Sequence, residues 1–315
     1  MKDAGRANIG KFQNPALTAD GQARAQVSLS NPQTLWFNTG TLCNIECVNC
    51  YIESSPTNDA LVYLSEAEVI DFLDQLEDRG WGVSEIGFTG GEPFMNPDII
   101  AMTRACLERG YEVLILTNAM RPMMRKAMRA GLLELQARFG DKLTLRISVD
   151  HHLALHHDTE RGVGSFAKTI TGMEWLRDNG FKMAVAGRSM WHESEPEART
   201  GFDALFRRHG FAIDAHNPAE TVIFPEMDES VEVPEITTAC WGILDISPSA
   251  VMCASSRMVI KRKGADKPAV VACTLLPYDA QFELGTTLEE AERDVALNHP
   301  HCAKFCVLGG ASCSG

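Results

Sequence analysis

Residues 34–51 read TLWFNTGTLCNIECVNCY: a short apolar run of β-type residues that passes directly into three cysteines, Cys43, Cys47 and Cys50. The run has the length and the aromatic content of a strand. Further runs of this kind occur at 84–90 (SEIGFTG), 111–118 (YEVLILTN), 143–150 (LTLRISVD) and 181–187 (FKMAVAG), with a weaker one at 211–216 (FAIDAH). Between them lie segments with apolar residues at helical spacing. The first, SEAEVIDFLDQLEDRG (65–80), opens with Ser65 and Glu68 in a capping-box pattern and stops at Gly80. The others fall near 97–109, 121–138, 165–179 and 198–209, with Gly110, Gly140, Gly180 and Gly210 as stops. Strands alternating with helices predict an α/β fold with a parallel sheet. Six such units are too few to close an eight-stranded barrel, so the expected fold is a partial (β/α)6 TIM-like barrel over residues 34–220.

The flanks read differently. Residues 1–33 are polar and predict a loose N-terminal arm. From 221 to 315 the rhythm fails, and this cysteine-rich region carries one helical pattern, TTLEEAERDVALN at 286–298. Ten cysteines in 315 residues, with no apolar core of an export signal at the start, point to a cytoplasmic chain whose thiols are metal ligands or reactive groups. A net charge of −13 argues against nucleic-acid binding and against an anionic membrane surface. No run approaches the roughly 20 apolar residues a membrane span requires.

In a parallel α/β fold, chemistry collects where strands end. Here the cysteines follow the first strand and GGEP (Gly90, Gly91, Glu92, Pro93) the second. Thr117 and Asn118 end the third, Ser148 and Asp150 the fourth, and Arg188 the fifth. Thiolates select zinc, copper(I) or iron–sulfur clusters. A structural zinc site is closed by four ligands, whereas three cysteines on a [4Fe–4S] cube leave one iron open to a small molecule.

CNIECVNCY (43–51) resembles the CxxxCxxC motif of the radical S-adenosylmethionine (SAM) superfamily, followed by its frequent aromatic, Tyr51; GGEP resembles that superfamily's second hallmark. The resemblance covers residues 34 to about 217. It implies a partial barrel whose [4Fe–4S] cluster sits on Cys43, Cys47 and Cys50, with SAM chelating the open iron. Reduction by a flavodoxin- or ferredoxin-type donor would cleave SAM to a 5′-deoxyadenosyl radical, which takes hydrogen from a small-molecule or peptide substrate. On this reading Gly90 and Gly91 let the backbone approach SAM, ahead of Pro93, and Glu92 accepts its ammonium group. Thr117, Asn118, Ser148 and Asp150 suit the ribose and methionine portions, Ser148 foremost. Arg188 would fork onto the SAM carboxylate, with Arg161 as rival. The rivalry arises because SVDHHLALHHDTERGVGSF (148–166) resembles the S-x-D-G…HD-x-x-R-G-x-G-SF pattern of such enzymes, although His151 stands where glycine is usual.

That loop also carries His152, His156 and His157, read as a polar lid or solvated side chains, with a metal pair at His152 and His156 as the alternative. Met120, Met123, Met124 and Met128 are expected to fill core, and Cys106 to be buried and inert. Cys240, Cys253, Cys273, Cys302, Cys306 and Cys313 resemble the auxiliary cluster region of SPASM or Twitch enzymes. That implies one auxiliary [4Fe–4S] cluster on Cys253, Cys273 and two of the last three, with zinc as rival and His299 or His301 as a substitute ligand. The short segment before the first strand favours a small-molecule substrate over a peptide. Lys261, Arg262 and Lys263 form a solvated turn or a reductant docking patch. Other readings are a peptide maturase, a glycyl-radical-type activator, or a non-catalytic iron–sulfur or zinc carrier.

Overall fold

A computed structural model describes residues 10–226 and 231–309 of the chain. β1 (Gln26–Val27) is short, and the main sheet begins with β2 (Thr34–Asn38), buried along its whole length. β2 pairs in parallel with β3 (Glu85–Thr89), and β4 (Glu112–Thr117), β5 (Leu143–Ser148), β6 (Lys182–Ser189) and β7 (Thr221–Pro225) follow side by side, all parallel. The crossovers carry α1 (Glu66–Arg79), α2 (Ile99–Glu108), α3 (Lys126–Phe139), α4 (Ala154–Arg161) with α5 (Ser165–Asp178), and α6 (Glu195–His209). On the other side of β2 lies β8 (Ser256–Ile260), also parallel, extended by antiparallel β9 (Ala269–Val271) and β10 (Glu283–Gly285). The strand order is linear, β10-β9-β8-β2-β3-β4-β5-β6-β7, so the barrel is open, as expected.

The local chemistry explains the central elements. Trp36 is fully buried and opposite Gly87, where any Cβ would come within 2.3 Å of the indole; glycine in mid-strand makes room for that ring. Phe37 stacks on Phe88 with ring centroids 5.8 Å apart and meets Phe72 of α1 edge-on, tying strand to helix. α1 has the capping box of Ser65 and Glu68 and ends on Gly80 in the left-handed conformation. Met120 and Met123 are core residues, Met124 and Met128 pack on that core, and Cys106 is fully buried.

Several expectations are corrected. FAIDAH has a strand's alternation, and Phe211, Ile213 and Ala215 are buried, but Glu220 accepts from the Asp214 amide and folds the segment into a turn. The sixth strand of the parallel run that begins with β2 is β7, just past the expected core boundary at residue 220. The 286–298 helix is absent: Glu290–Glu292 form one 3-10 turn, and Val295–Ala296 become β11, which pairs with β1. α7 (Cys240–Leu244) is the one short α-helix beyond β7 among the described residues. The described part of the arm is pinned rather than loose, with Ala25 and Val27 buried and Arg24 paired with Glu235. The C-terminal region is continuous with the barrel sheet through β8. Lys261, Arg262 and Lys263 each meet a carboxylate, Glu68, Glu283 and Asp59, so the trio is a set of tethers. No helix among the described residues is long and apolar enough to cross a membrane.

Candidate active site

The carboxyl ends of β2 to β6 open onto one cavity. Cys43, Cys47 and Cys50 line it, with Tyr51 beside them and Gly90 and Gly91 at the end of β3. The cysteine loop is held from below: the Cys43 amide donates to the Ser55 carbonyl (3.0 Å), and the Ser54 amide to Cys50 Sγ (3.3 Å). It is held from above by Glu160 of α4, a residue that no sequence motif singles out. The carboxylate of this buried residue accepts from Asn49 Nδ2 at 3.0 and 2.9 Å, and its carbonyl accepts the Val48 amide at 2.9 Å. Arg188 joins this brace by donating to the Asn49 carbonyl (3.0 Å) with its guanidinium 3.7 Å from Glu160. Arg188 lines the cavity, but its hydrogen bond serves the loop.

The glycine pair is required by space. A Cβ on Gly91 would sit 2.3 Å from the Leu42 carbonyl oxygen, and one on Gly90, whose φ is +141°, 2.5 Å from that of Gly40. The Gly91 amide donates to Gly40 and the Glu92 amide to Leu42, at 2.8 and 3.2 Å, so the turn is laced to the strand end that leads into Cys43. Glu92 itself does not face the cavity. It is fully buried, and its carboxylate accepts from Thr117 Oγ1 (2.8 Å), the Asn118 amide (2.9 Å) and the Phe94 amide (3.2 Å). Burial pushes this carboxyl up to about 7 against those three donors. The expected ammonium acceptor is thus a clamp on the end of β4, and Pro93 starts the 3-10 turn behind it.

Thr117, Asn118, Ser148, Asp150 and Arg161 all line the cavity. The Thr117 hydroxyl is committed to Glu92, and Asn118 Nδ2 to Asn44 Oδ1 (2.9 Å). Asp150 accepts both arms of a fork from Arg161, at 2.7 and 2.9 Å. Burial alone would raise the Asp150 carboxyl; the Arg161 guanidinium overrides it and holds the group below the ordinary carboxylate range. This leaves an oriented cation beside the thiols. Burial pushes Cys43 up to about 12 and raises Cys47 despite Arg161, so the thiolate forms that ligate metal need a cation in the loop. Three convergent sulfurs with no imidazole or carboxylate among them suit an iron–sulfur cluster with one open iron.

The histidines are not a lid. None of the four lines the cavity, and His151 and His157 are buried behind Asp150. His151 Nδ1 accepts the Leu153 amide (2.9 Å), so Nε2 carries the ring proton, 2.5 Å from Glu193. His151 stacks on His152 with centroids 4.1 Å apart, and His156 and Trp191 pack edge-on against it.

Residues beyond the expected core complete the cavity: Phe224 of β7, Thr274, Leu275 and Phe305. Nothing local in the sequence marks them, since they arrive through long-range packing. Next to this wall is a small second cavity lined by Cys253, Cys273, Cys302, Cys306 and His301, and Leu275 belongs to both. A π-helical segment, Cys302–Val307, places the last two sulfurs together. Burial raises Cys302 and pushes Cys253 up to about 11. Four thiols on one apolar pocket fit a second cluster. Cys240 stands apart on α7, its sulfur 3.4 Å from the Thr237 amide, and Cys313 lies outside the described residues.

Fold and site define a class: an open parallel barrel with a three-cysteine loop at the carboxyl rim of its strands, of the kind that suits an iron–sulfur cluster with one open iron. The chain belongs to the radical SAM superfamily, whose family model matches residues 37–196. Among curated relatives, the antilisterial bacteriocin subtilosin biosynthesis protein AlbA of Bacillus subtilis is 35% identical over 154 residues, 47% of this chain and 32% of that protein. The AdoMet-dependent heme synthase of Methanosarcina barkeri is 27% identical over 163 residues, 50% of this chain and 43% of that one. The chain thus spans less than half the length of these relatives. Streptococcus suis SuiB bound to S-adenosylmethionine superposes with a TM-score of 0.59 at 14% identity, covering 81% of this chain and 63% of that one. The AdoMet-bound anSMEcpe structure gives 0.57 at 14%, covering 89% and 81%. At that identity the likeness is one of fold.

Proposed function

We propose that the chain is a radical SAM enzyme that removes hydrogen from an amino-acid side chain within a peptide. The observation that carries the reading is the convergence of three thiols, the Gly90–Gly91 turn and the Asp150–Arg161 pair on one cavity at the ends of parallel strands. When bound and reduced by a flavodoxin- or ferredoxin-type donor, the cluster and SAM supply a 5′-deoxyadenosyl radical. The chain's own part is positioning. Cys43, Cys47 and Cys50 would hold the cluster, and the Gly90–Gly91 turn, whose Gly91 amide is tied to Gly40, would present backbone rather than side chains to the methionine portion of SAM. Arg161, fixed by Asp150, would bring positive charge to the SAM carboxylate, and Ser148 at the end of β5 would be available to its ribose. Phe224, Leu275 and Phe305 keep water from the reacting carbon. Cys253, Cys273, Cys302 and Cys306, which line the cavity behind Leu275, would hold an auxiliary cluster, and such a cluster would supply an electron acceptor there.

A peptide substrate is favoured by the relatives: AlbA is a bacteriocin biosynthesis protein, a Mycobacterium ulcerans mycofactocin maturase is 29% identical over 153 residues, and SuiB has been solved with a precursor peptide. The heme synthase keeps a small molecule as the second reading. The test is anaerobic: reconstitute with iron and sulfide, add SAM and dithionite, and assay 5′-deoxyadenosine by mass spectrometry. Wild type is expected to form it and the Cys43→Ala/Cys47→Ala/Cys50→Ala variant to form none. An iron-loaded wild type that never cleaves SAM, with or without candidate peptides or porphyrins, sinks the reading. Stimulation by porphyrins and not by peptides would transfer the substrate to the second class.

A further inference from the structure

Arg257, on β8, has an environment that the residues around it do not balance. Its side chain is 1% exposed, yet it pairs with no carboxylate among the described residues. Its guanidinium donates only to backbone carbonyls: Nε to Ala291 (2.9 Å), Nη1 to Cys253 (2.6 Å) and Ser256 (2.9 Å), and Nη2 to Arg293 (3.3 Å). The other guanidiniums described above differ: the buried Arg24 meets Glu235, and the half-buried Arg161 meets Asp150. Carbonyl dipoles satisfy N–H groups but bring no net charge, and an uncompensated buried cation is strongly unfavourable. Something anionic belongs next to it. Its strongest anionic neighbours are the sulfurs of Cys253 and Cys273, ahead of the Asp294 carboxylate, which forms no ion pair with it: Nη1 donates to the carbonyl of Cys253, and Cys253 shares its cavity with Cys273, Cys302 and Cys306.

We infer that Arg257 is the built-in counter-charge of the auxiliary cluster and sets its reduction potential, an inference that rests on the cluster assigned to these four cysteines. Four thiolates outweigh the charge of an iron–sulfur core, so the assembled group is a net anion and becomes more negative when it takes an electron. A fixed, buried cation stabilises the reduced form more than the oxidised one and raises the potential. Arg257 touches neither substrate nor SAM; it acts through the cluster. The placement is economical, since β8 carries Arg257 four residues after Cys253, and the carbonyl of Cys253 accepts its hydrogen bond. The consequence is functional: a higher potential makes the auxiliary cluster a better acceptor for the electron left on a substrate radical.

The experiment uses the full chain carrying Cys43→Ala, Cys47→Ala and Cys50→Ala, so that the auxiliary cluster alone contributes to the spectrum. After reconstitution, a dithionite titration followed by electron paramagnetic resonance gives its midpoint. Arg257→Gln is expected to lower the midpoint, and Arg257→Lys, which keeps the charge, to stay near the parent value. If Arg257→Gln loses the cluster while Arg257→Lys retains it, the counter-charge role also stands, expressed as cluster retention. An unchanged midpoint in Arg257→Gln at equal iron content overturns the inference, as does loss of the cluster in both variants, which would mark a role in shape alone. A parent that takes up no iron, or only zinc, overturns the cluster assignment itself and is recognised by the absence of any signal to titrate.

Discussion

Gly91→Ala tests the lacing between the second loop and the cysteine loop. The new Cβ would lie 2.3 Å from the Leu42 carbonyl oxygen, 2.6 Å from its carbon and 2.7 Å from the Thr41 oxygen, all backbone atoms that no rotamer change can move. Restoring an ordinary contact of 3.4 Å requires a displacement of about 1 Å in the residues just before Cys43. Overpacking of this kind costs about 1–3 kcal/mol, a fall of roughly 2–10 °C in melting temperature for a chain of this size. Lost stability alone is ambiguous, so the comparison variant is Gly110→Ala. Gly110 has φ +95°, and a Cβ there would meet nothing within 4 Å, so alanine suffers backbone strain of about 1–2 kcal/mol and nothing else. Scanning calorimetry of the apo chains should show comparable losses. Iron bound at the first site, read in chains whose Cys253, Cys273, Cys302 and Cys306 are alanine, should fall in Gly91→Ala only. Wild-type iron content and melting in Gly91→Ala, or equal iron loss in both variants, would refute the reasoning.

Glu160→Ala removes the brace on Asn49 and the partner of Arg188; it should cost about 1–3 kcal/mol and speed iron loss from the first cluster to a chelator, and an unchanged chelation rate would refute the brace. Asp150→Asn leaves Arg161 buried without its counter-charge and should destabilise the apo chain by about 3–5 kcal/mol at neutral pH in denaturant titrations. Because Asp150 is held below the ordinary carboxylate range, its stabilisation is complete above that range and lost as pH falls through its folded value. The variant should therefore lack this acid limb, and an identical acid profile would count against the pair. Glu92 has the opposite sign: burial raises it to about 7, so its contribution is complete below the usual carboxylate range and disappears as pH climbs through about 7. Melting of the apo wild type should fall between about pH 5 and 8 by an amount of order 3 kcal/mol, and Glu92→Gln should flatten that slope.

The parts of this molecule legible in the sequence are those whose causes are local. β2 to β6 announce themselves because each is a short apolar run stopped by glycine or a polar pair, and α1 by its capping box. The rim follows, since parallel strands deliver their end residues to one place: nine of the eleven expected SAM-side residues line the cavity, and the two that do not, Glu92 and Pro93, are turned away by the end of β4. What the sequence conceals depends on distant partners. FAIDAH alternates like a strand but is outcompeted by the hydrogen bond from Asp214 to Glu220, and Val295 leaves a helical pattern because β1 offers it a ladder. SRMVI carries no sign that it will lie against β2. The His151 cluster reads as a surface loop because four histidines are polar, whereas His151 is covered by the rings of His152 and His156, and His157 is buried against Phe166.

The position of β8 has a consequence for how the chain is made. β2 is the first strand of the main sheet to leave the ribosome, and one of its edges is covered by β3 soon afterwards. Its other edge receives β8, which exists only once synthesis has reached Ile260. Through most of translation the nascent barrel therefore presents a bare row of amides and carbonyls beside Trp36 and Phe37, the kind of edge that recruits other chains. A ribosome stalled ahead of Ser256 would release a sticky half-sheet, so heavy expression should be limited by the pace at which this last parallel strand arrives.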